Sequence, residues 1–420
     1  MVAKFLIKHT EKLAGKVTTQ GAKNSAWPIL TATLLCNGVC TINNCPELSD
    51  VSATLDILEG SLGAKVSRGK NTATIDASGA TGYKISKAMM SKMRSSILFL
   101  GAIAARFGRA ELCFPGGCEL GPRPINWHLD ALSKMGLQVD CRDGVLTCKA
   151  EAGRLHGARI DLPLPSVGAT ENVILAATMA RGTTVLNNAA REPEICDLCE
   201  FLTKCGAQIN GAGQSQVEII GVDSLRGARH DVMPDRIVAA TFMVAAAAVG
   251  GEVLVEKVAL AHLRRMVEVL RRSGCMVDVN ENSVRIVSEG LPQALGRIVT
   301  EPYPGFPTDA QALFMVLAAV SRGKTTFVEN IFENRYKHAE ELMKMGADIE
   351  ISDKTAIVRG VRVLQGGEVL AKDLRGAAAL TIAGLVANGQ TVVNGLEHLD
   401  RGYEDFERKL RDLGANIRRI

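Results

Sequence analysis

One period runs twice through this 420-residue chain, and it limits the possible folds more than any other feature. Gly63, Gly136, Gly206, Gly274, Gly346 and Gly414 each stand between an amphipathic segment and a short apolar run: LGAKV, MGLQV, CGAQI, SGCMV, MGADI and LGANI. They recur every 68–73 residues. Such a fixed spacing identifies the structural unit before any single segment is assigned. Glycine fits because helices commonly close on a left-handed residue, where a Cβ would clash.

A second, alanine-rich family has the same period. Its members, GAKNSAWPILTATLLCNG, RSSILFLGAIAARFG, SVGATENVILAATMARG, PDRIVAATFMVAAAAVG, PTDAQALFMVLAAVSRG and DLRGAAALTIAGLVANG, end at Gly38, Gly108, Gly182, Gly250, Gly323 and Gly389. They are apolar nearly all round, the pattern of helices buried on every side. Strand-like runs such as TTVLNNA, EVLVEKV, TTFVENI and TVVNGL follow them. The chain therefore reads as six copies of one α/β unit, each with strands, one buried helix and one half-exposed helix. Its length exceeds what one hydrophobic core supports, so two domains are expected. With 47% hydrophobic but only 4% aromatic residues, the cores are expected to be built from Ala, Val, Ile and Leu, as in layered α/β proteins.

Several function classes are disfavoured. Forty-nine basic against 45 acidic residues leave no nucleic-acid footprint. MVAKFLIKHTEK carries no signal-peptide pattern, so a cytoplasmic location is expected. The longest membrane-like run, Ile237 to Gly250, is too short to span a bilayer and reads as a buried helix. Eleven cysteines show no disulfide framework and are expected to be reduced. Cys196 and Cys199 form a CxxC, but helical spacing places Cys199 on a core stripe with Ile195, Leu198, Leu202 and Cys205. Seven scattered histidines offer no HxH, HxxH or HExxH, so neither metal nor cofactor is expected. A GxGxxG between strand and helix is also missing, which argues against a dinucleotide-binding dehydrogenase.

Polar residues gather at the N-terminal ends of the alanine-rich helices: Lys23 and Asn24, Arg94, Ser166 and Thr170, Asp235 and Arg236, Thr308 and Asp309, Asp373 and Arg375. Helix N-termini carry unpaired N–H groups and partial positive charge, so a set of them favours an anionic, phosphate-bearing ligand. Ordinary capping by Ser, Thr and Asp is the competing reading at any one end.

The loop FPGGCELGPRP at 114–124, with GAKN at 21–24, SVGATEN at 166–172 and AAREPEI at 189–195, resembles the UDP-N-acetylglucosamine 1-carboxyvinyltransferase family. The resemblance continues through PDRI, FPTDAQA, FENR, DLR and HLDRGYE, in order along the chain. It implies two inside-out α/β barrel domains of three repeats each, with the active site in the cleft between them. One would span 23–232, and the other 1–22 joined to 233–420. It implies transfer of the enolpyruvyl group of phosphoenolpyruvate to the 3'-hydroxyl of UDP-N-acetylglucosamine with loss of phosphate, the first committed step of peptidoglycan precursor synthesis; a monomer is expected. Sensitivity to fosfomycin goes with it.

The same resemblance assigns residues. Cys118 would deliver a proton to C3 of phosphoenolpyruvate, and Asp309 would take or orient the proton of the acceptor hydroxyl. Lys23, Asn24, Arg123 and Arg401 would grip phosphoenolpyruvate, with Arg335 and Arg375 completing a cationic cage, and Lys23 and Arg401 counting among the catalytic set. The UDP-sugar would meet Asn24, Arg94, Arg123, Pro124, Ile125, Asn126, Trp127, Ser166, Val167, Gly168, Asp309 and Ile331. Thiols exchange protons near neutrality when cations lower their pKa, and guanidinium forks match carboxylate and phosphate, so the residue types suit the roles. The sequence departs from the family's usual pattern at Val238, where Glu is usual, at Leu164 and Pro165, near which some members carry Lys, and at Trp27 and Trp127. Two rivals are a shikimate 3-phosphate enolpyruvyl transferase, which lacks the PGGC loop, and a non-catalytic UDP-sugar-binding paralogue.

Overall fold

The computed structural model of the chain describes residues 3–92, 94–113 and 125–420. Among these described residues, six four-stranded sheets repeat one pattern. In the third repeat, Arg159–Asp161 runs parallel to Thr183–Asn187, which pairs antiparallel with Gln216–Ile220, itself antiparallel to Gln208–Asn210. A helix crosses between the two parallel strands, as a parallel connection requires. Burial alternates along these strands, so each sheet packs one face inward.

The two helix families differ as their sequences require. Every residue from Ile237 to Ala247 of the Arg236–Val249 helix is buried, and so is every residue from Arg375 to Leu385 of Leu374–Val386. The Leu260–Arg272 helix instead buries Leu263, Met266, Val267, Val269 and Leu270, a stripe at helical spacing, and leaves its arginines outside. The apolar run from Ile237 to Gly250 thus lies inside a core, and no helix among the described residues is long and apolar enough to cross a membrane.

The chain divides into two compact units, and the division falls between Gln20 and Gly21 and between Met233 and Pro234. The unit made from the first 20 residues and Pro234–Ile420 has a core around Phe242, Phe314 and Leu380. The other has a core around Phe99, Ile174 and Leu198. Burial of each large side chain contributes about 1.5–3 kcal/mol. Strand pairing explains why the first unit is discontinuous. Phe5–Lys8 pairs with Gln390–Asn394 and Ile417–Arg419 in the sixth repeat, while Leu13–Thr18 runs parallel to Gly251–Glu256 in the fourth. In the other unit, Arg229–Asp231 returns to lie parallel to Val39–Asn43 and closes the sheet of the first repeat.

All twelve repeat glycines adopt positive φ, between 65° and 129°. Gly108 and Gly206 cap their helices directly in the left-handed region. Gly38 departs from the expected helix exit. Its α-helix ends at Ala32 and a single 3-10 turn covers Thr33–Leu35, after which Cys36–Asn37 forms a short strand parallel to Leu225–Arg226. The Thr33 hydroxyl donates to the Leu30 carbonyl at 2.6 Å and tightens that turn. Gly38 therefore lies between two strands and not at a helix end.

Candidate active site

In the unit that holds Pro234–Ile420, Asp309 is the second residue of the Thr308–Ala319 helix. Pro307 occupies the N-cap and makes no side-chain cap, so the capping reading of Thr308 and Asp309 does not hold. Arg335 and Arg375 approach the Asp309 carboxylate instead. Arg335 Nη2 donates to Oδ1 at 2.9 Å and to the Thr308 carbonyl at 3.2 Å. Arg375 donates to Oδ2 through Nε at 3.2 Å and Nη2 at 2.9 Å. Both arginine side chains are 3% exposed and Asp309 is 28% exposed, so the pair of cations is sunk and the carboxylate faces outward.

Each partner is positioned in turn. Asp373 caps the Leu374–Val386 helix by accepting from the N–H groups of Arg375 and Gly376 at 2.9 and 3.0 Å, which fixes the backbone of Arg375. Arg375 Nη1 donates to the Tyr403 hydroxyl at 3.3 Å, and Tyr403 shares a 2.9 Å hydrogen bond with Thr241. Burial opposes the charge of Arg375, but Asp309, Tyr403 and Asp235 more than offset it and hold its pKa above the ordinary value. Thr308 donates to Glu329 at 3.0 Å, and the other oxygen of Glu329 accepts from the N–H groups of Ile331 and Phe332, which sets the turn that presents Ile331. Arg335 Nε is buried without a partner among the described residues. Arg401 lies half-buried in the turn after Leu396–Leu399. Gln20 steadies that turn by donating to the Gly402 carbonyl at 3.2 Å and accepting from Glu404 N–H at 2.8 Å.

The other unit carries a second set. Lys23 opens the Lys23–Ala32 helix, and its ammonium lies 2.9 Å from Asp50 and 5.1 Å from the centre of the Trp27 ring. The Trp27 indole donates to the Asn24 carbonyl at 3.0 Å. Ser166 caps the Val167–Ala177 helix by accepting from Ala169 N–H at 3.3 Å, with Val167 and Gly168 in its first turn. Ile125, Asn126 and Trp127 lead into the Asn126–Lys134 helix, of which Asn126 is exposed and Trp127 half-buried. His128 binds this segment to the neighbouring helices. Asn172 donates to His128 Nδ1 at 3.0 Å and to the Ile97 carbonyl at 3.0 Å, and its oxygen accepts from Gly101 N–H at 2.7 Å. Since both amide hydrogens of Asn172 are donated, His128 Nδ1 acts as the acceptor. Burial lowers the imidazole to about 4, in keeping with a neutral ring.

Cys118, Arg123 and Pro124 lie outside the described residues, as does the rest of 114–124. Arg94 opens the short 3-10 turn Arg94–Ile97. The carboxylate with two guanidinium partners can orient a hydroxyl, and the remaining cations can hold acidic oxygens.

Comparison with known proteins places the chain in a family. Residues 7–410 match the family described as EPSP synthase (3-phosphoshikimate 1-carboxyvinyltransferase). Over 419 residues, covering 100% of both chains, the sequence is 46% identical to UDP-N-acetylglucosamine 1-carboxyvinyltransferase 2 of Caldanaerobacter subterraneus subsp. tengcongensis. The chain belongs to the UDP-N-acetylglucosamine 1-carboxyvinyltransferase family. Among solved structures, the enolpyruvyl transferase NikO from Streptomyces tendae superposes with a TM-score of 0.89 at 26% identity, covering 100% of this chain and 99% of that one. EPSP synthase from Acinetobacter baumannii superposes at 0.78 with 20% identity over 100% of each chain, a likeness of fold. The two-domain, inside-out α/β architecture expected of UDP-N-acetylglucosamine 1-carboxyvinyltransferases is the one the chain adopts.

For a member of this family, the sequence named the chemical groups but missed their supports. Tyr403, Glu329, Asp50 and Asn172 hold candidate site residues in place, whereas Asp373, the cap behind Arg375, was already marked by its place at a helix N-terminus. Tyr403 and Asn172 sit within the recognised motifs HLDRGYE and SVGATEN, which was the available signal. Glu329 and Asp50 carried none. Val238, one of the departures, is 1% exposed in the core, its N–H bound to Asp235 at 3.0 Å, and Leu164 is 58% exposed.

Proposed function

We propose that this chain transfers the enolpyruvyl group of phosphoenolpyruvate to the 3'-hydroxyl of UDP-N-acetylglucosamine and releases phosphate. The observation that carries the reading is the 46% identity, over the whole length of both chains, to a protein bearing that enzyme's name. The Asp309–Arg335–Arg375 cluster supports it with a carboxylate suited to a hydroxyl and cations suited to phosphate and carboxylate.

In this reading the sugar oxygen attacks C2 while Cys118 gives a proton to C3. Asp309 accepts or orients the hydroxyl proton. The resulting tetrahedral ketal loses phosphate as a C3 proton departs, which restores the vinyl group on the new ether. Lys23, Arg123, Arg401 and Arg335 hold the phosphate and carboxylate oxygens. Arg375 holds Asp309. Asn24, Arg94, Pro124, Ile125, Asn126, Trp127, Ser166, Val167, Gly168 and Ile331 receive the nucleotide sugar. The enzyme acts as a cytoplasmic monomer in cell-wall precursor synthesis, and fosfomycin alkylates Cys118.

The deciding experiment is phosphate release from phosphoenolpyruvate by the purified protein, with UDP-N-acetylglucosamine, with shikimate 3-phosphate, or with neither. Release that depends on UDP-N-acetylglucosamine is expected. Release with shikimate 3-phosphate alone would move the assignment to that acceptor, and no release with either would leave a binding protein.

A further inference from the structure

Away from these residues, three thiols meet inside the unit that carries Lys23. The Sγ atoms of Cys36, Cys40 and Cys205 all lie within 4.8 Å of one another, the only such trio of potential metal ligands among the described residues. Each residue is at most 1% exposed. We infer that Cys36, Cys40 and Cys205 form a buried trithiolate site for a soft d10 cation, with Cu(I) the best fit.

The geometry suits three-coordination. A metal–sulfur bond of about 2.3 Å places the sulfurs of a planar trigonal site about 4 Å apart, so the trio needs only a small contraction. Zinc in structural sites takes four ligands, whereas soft thiolates select Cu(I) and the trio supplies three. The ligands come from separate, fixed pieces of backbone. Cys36 is held in register with Leu225, and Cys40 opposite Ile75. Cys205 is the last residue of the Pro193–Cys205 helix, which Gly206 closes in the left-handed region. Gly227 locks the connection between the first two, because a Cβ there would run into the backbone of Val39.

Charge is also provided for. Three thiolates around Cu(I) leave two negative charges in a buried place, which is costly without cations nearby. Arg106 reaches the Cys36 carbonyl at 3.4 Å, and Arg226 reaches the carbonyl of Lys204, next to Cys205, at 3.4 Å. Neither a histidine motif nor the Cys196–Cys199 CxxC marks this site, because Cys205 lies far along the chain from Cys36 and Cys40.

The test uses the full chain, reduced and free of oxygen, incubated with Cu(I) and then challenged with a copper(I) chelator. Wild type is expected to keep one equivalent, Cys141→Ser at an exposed thiol to keep it too, and Cys40→Ala and Cys205→Ala to lose it. X-ray absorption of the copper retained by wild type counts its sulfur neighbours and stands even where a variant fails to fold. Three sulfurs support the site. Retention of no copper by wild type, equal retention by the trio variants, or fewer than three sulfurs at the metal would overturn it.

Discussion

Asp309 Oδ2 accepts two hydrogen bonds from one guanidinium, that of Arg375, at 3.2 and 2.9 Å, while its other oxygen is bound by Arg335. One carboxylate thereby compensates two cations that are each 3% exposed. Stability and chemistry are coupled at this point, and substitutions can separate them.

Asp309→Ala strands both guanidiniums and is expected to cost about 3 kcal/mol of stability along with turnover. Asp309→Asn keeps the shape and an acceptor oxygen, so it should fold better while phosphate release falls by about 10²-fold or more. Urea unfolding and the release assay read the two effects. Asn turnover equal to wild type would remove Asp309 from the proton-handling role.

Cys118→Ala is expected to abolish turnover and leave UDP-N-acetylglucosamine binding largely intact, since the proposed acid acts on phosphoenolpyruvate. Calorimetric binding and phosphate release on the same preparation check this. Turnover at the wild-type rate would sink the assignment.

Burial holds the pKa of His128 at about 4, below its value of about 6.5 when exposed. As pH falls, the unfolded chain therefore takes up the proton first. The stability tied to the neutral ring is complete above about pH 6.5, is lost between about 6.5 and about 4, and changes no further below that, a total of about 3 kcal/mol. His338, also lowered to about 4 by burial, adds a step of the same sign. Urea midpoints at pH 7 and pH 4.5 should differ less for His128→Gln than for wild type. An unchanged difference would count against His128 as a source.

Gly101 brings the Leu98–Phe107 helix against Asn172 so closely that a Cβ would meet both its side-chain and backbone oxygens. Gly101→Ala is expected to destabilise by about 1–3 kcal/mol through overpacking. Asn172→Ala should cost about as much by stranding the Gly101 N–H and the Ile97 carbonyl. Thermal unfolding of the two single variants and the double variant measures the coupling. Additive losses would show that the contact is not shared.

The sequence by itself determined the repeat, both helix families, the positions of the twelve glycines and the motifs that name the family. These properties follow from local periodicity and residue chemistry, which a linear reading captures. The first repeat escaped part of that reading, because Cys36–Asn37 becomes a strand only by pairing with Leu225–Arg226, far along the chain. Asp309 likewise looked like a helix cap in sequence, and only folding brought Arg335 and Arg375 to its oxygens. The neutral His128 and the three converging thiols have the same origin. Which partner satisfies a buried charge, amide or thiol depends on distance in space, and the tertiary structure alone decides it.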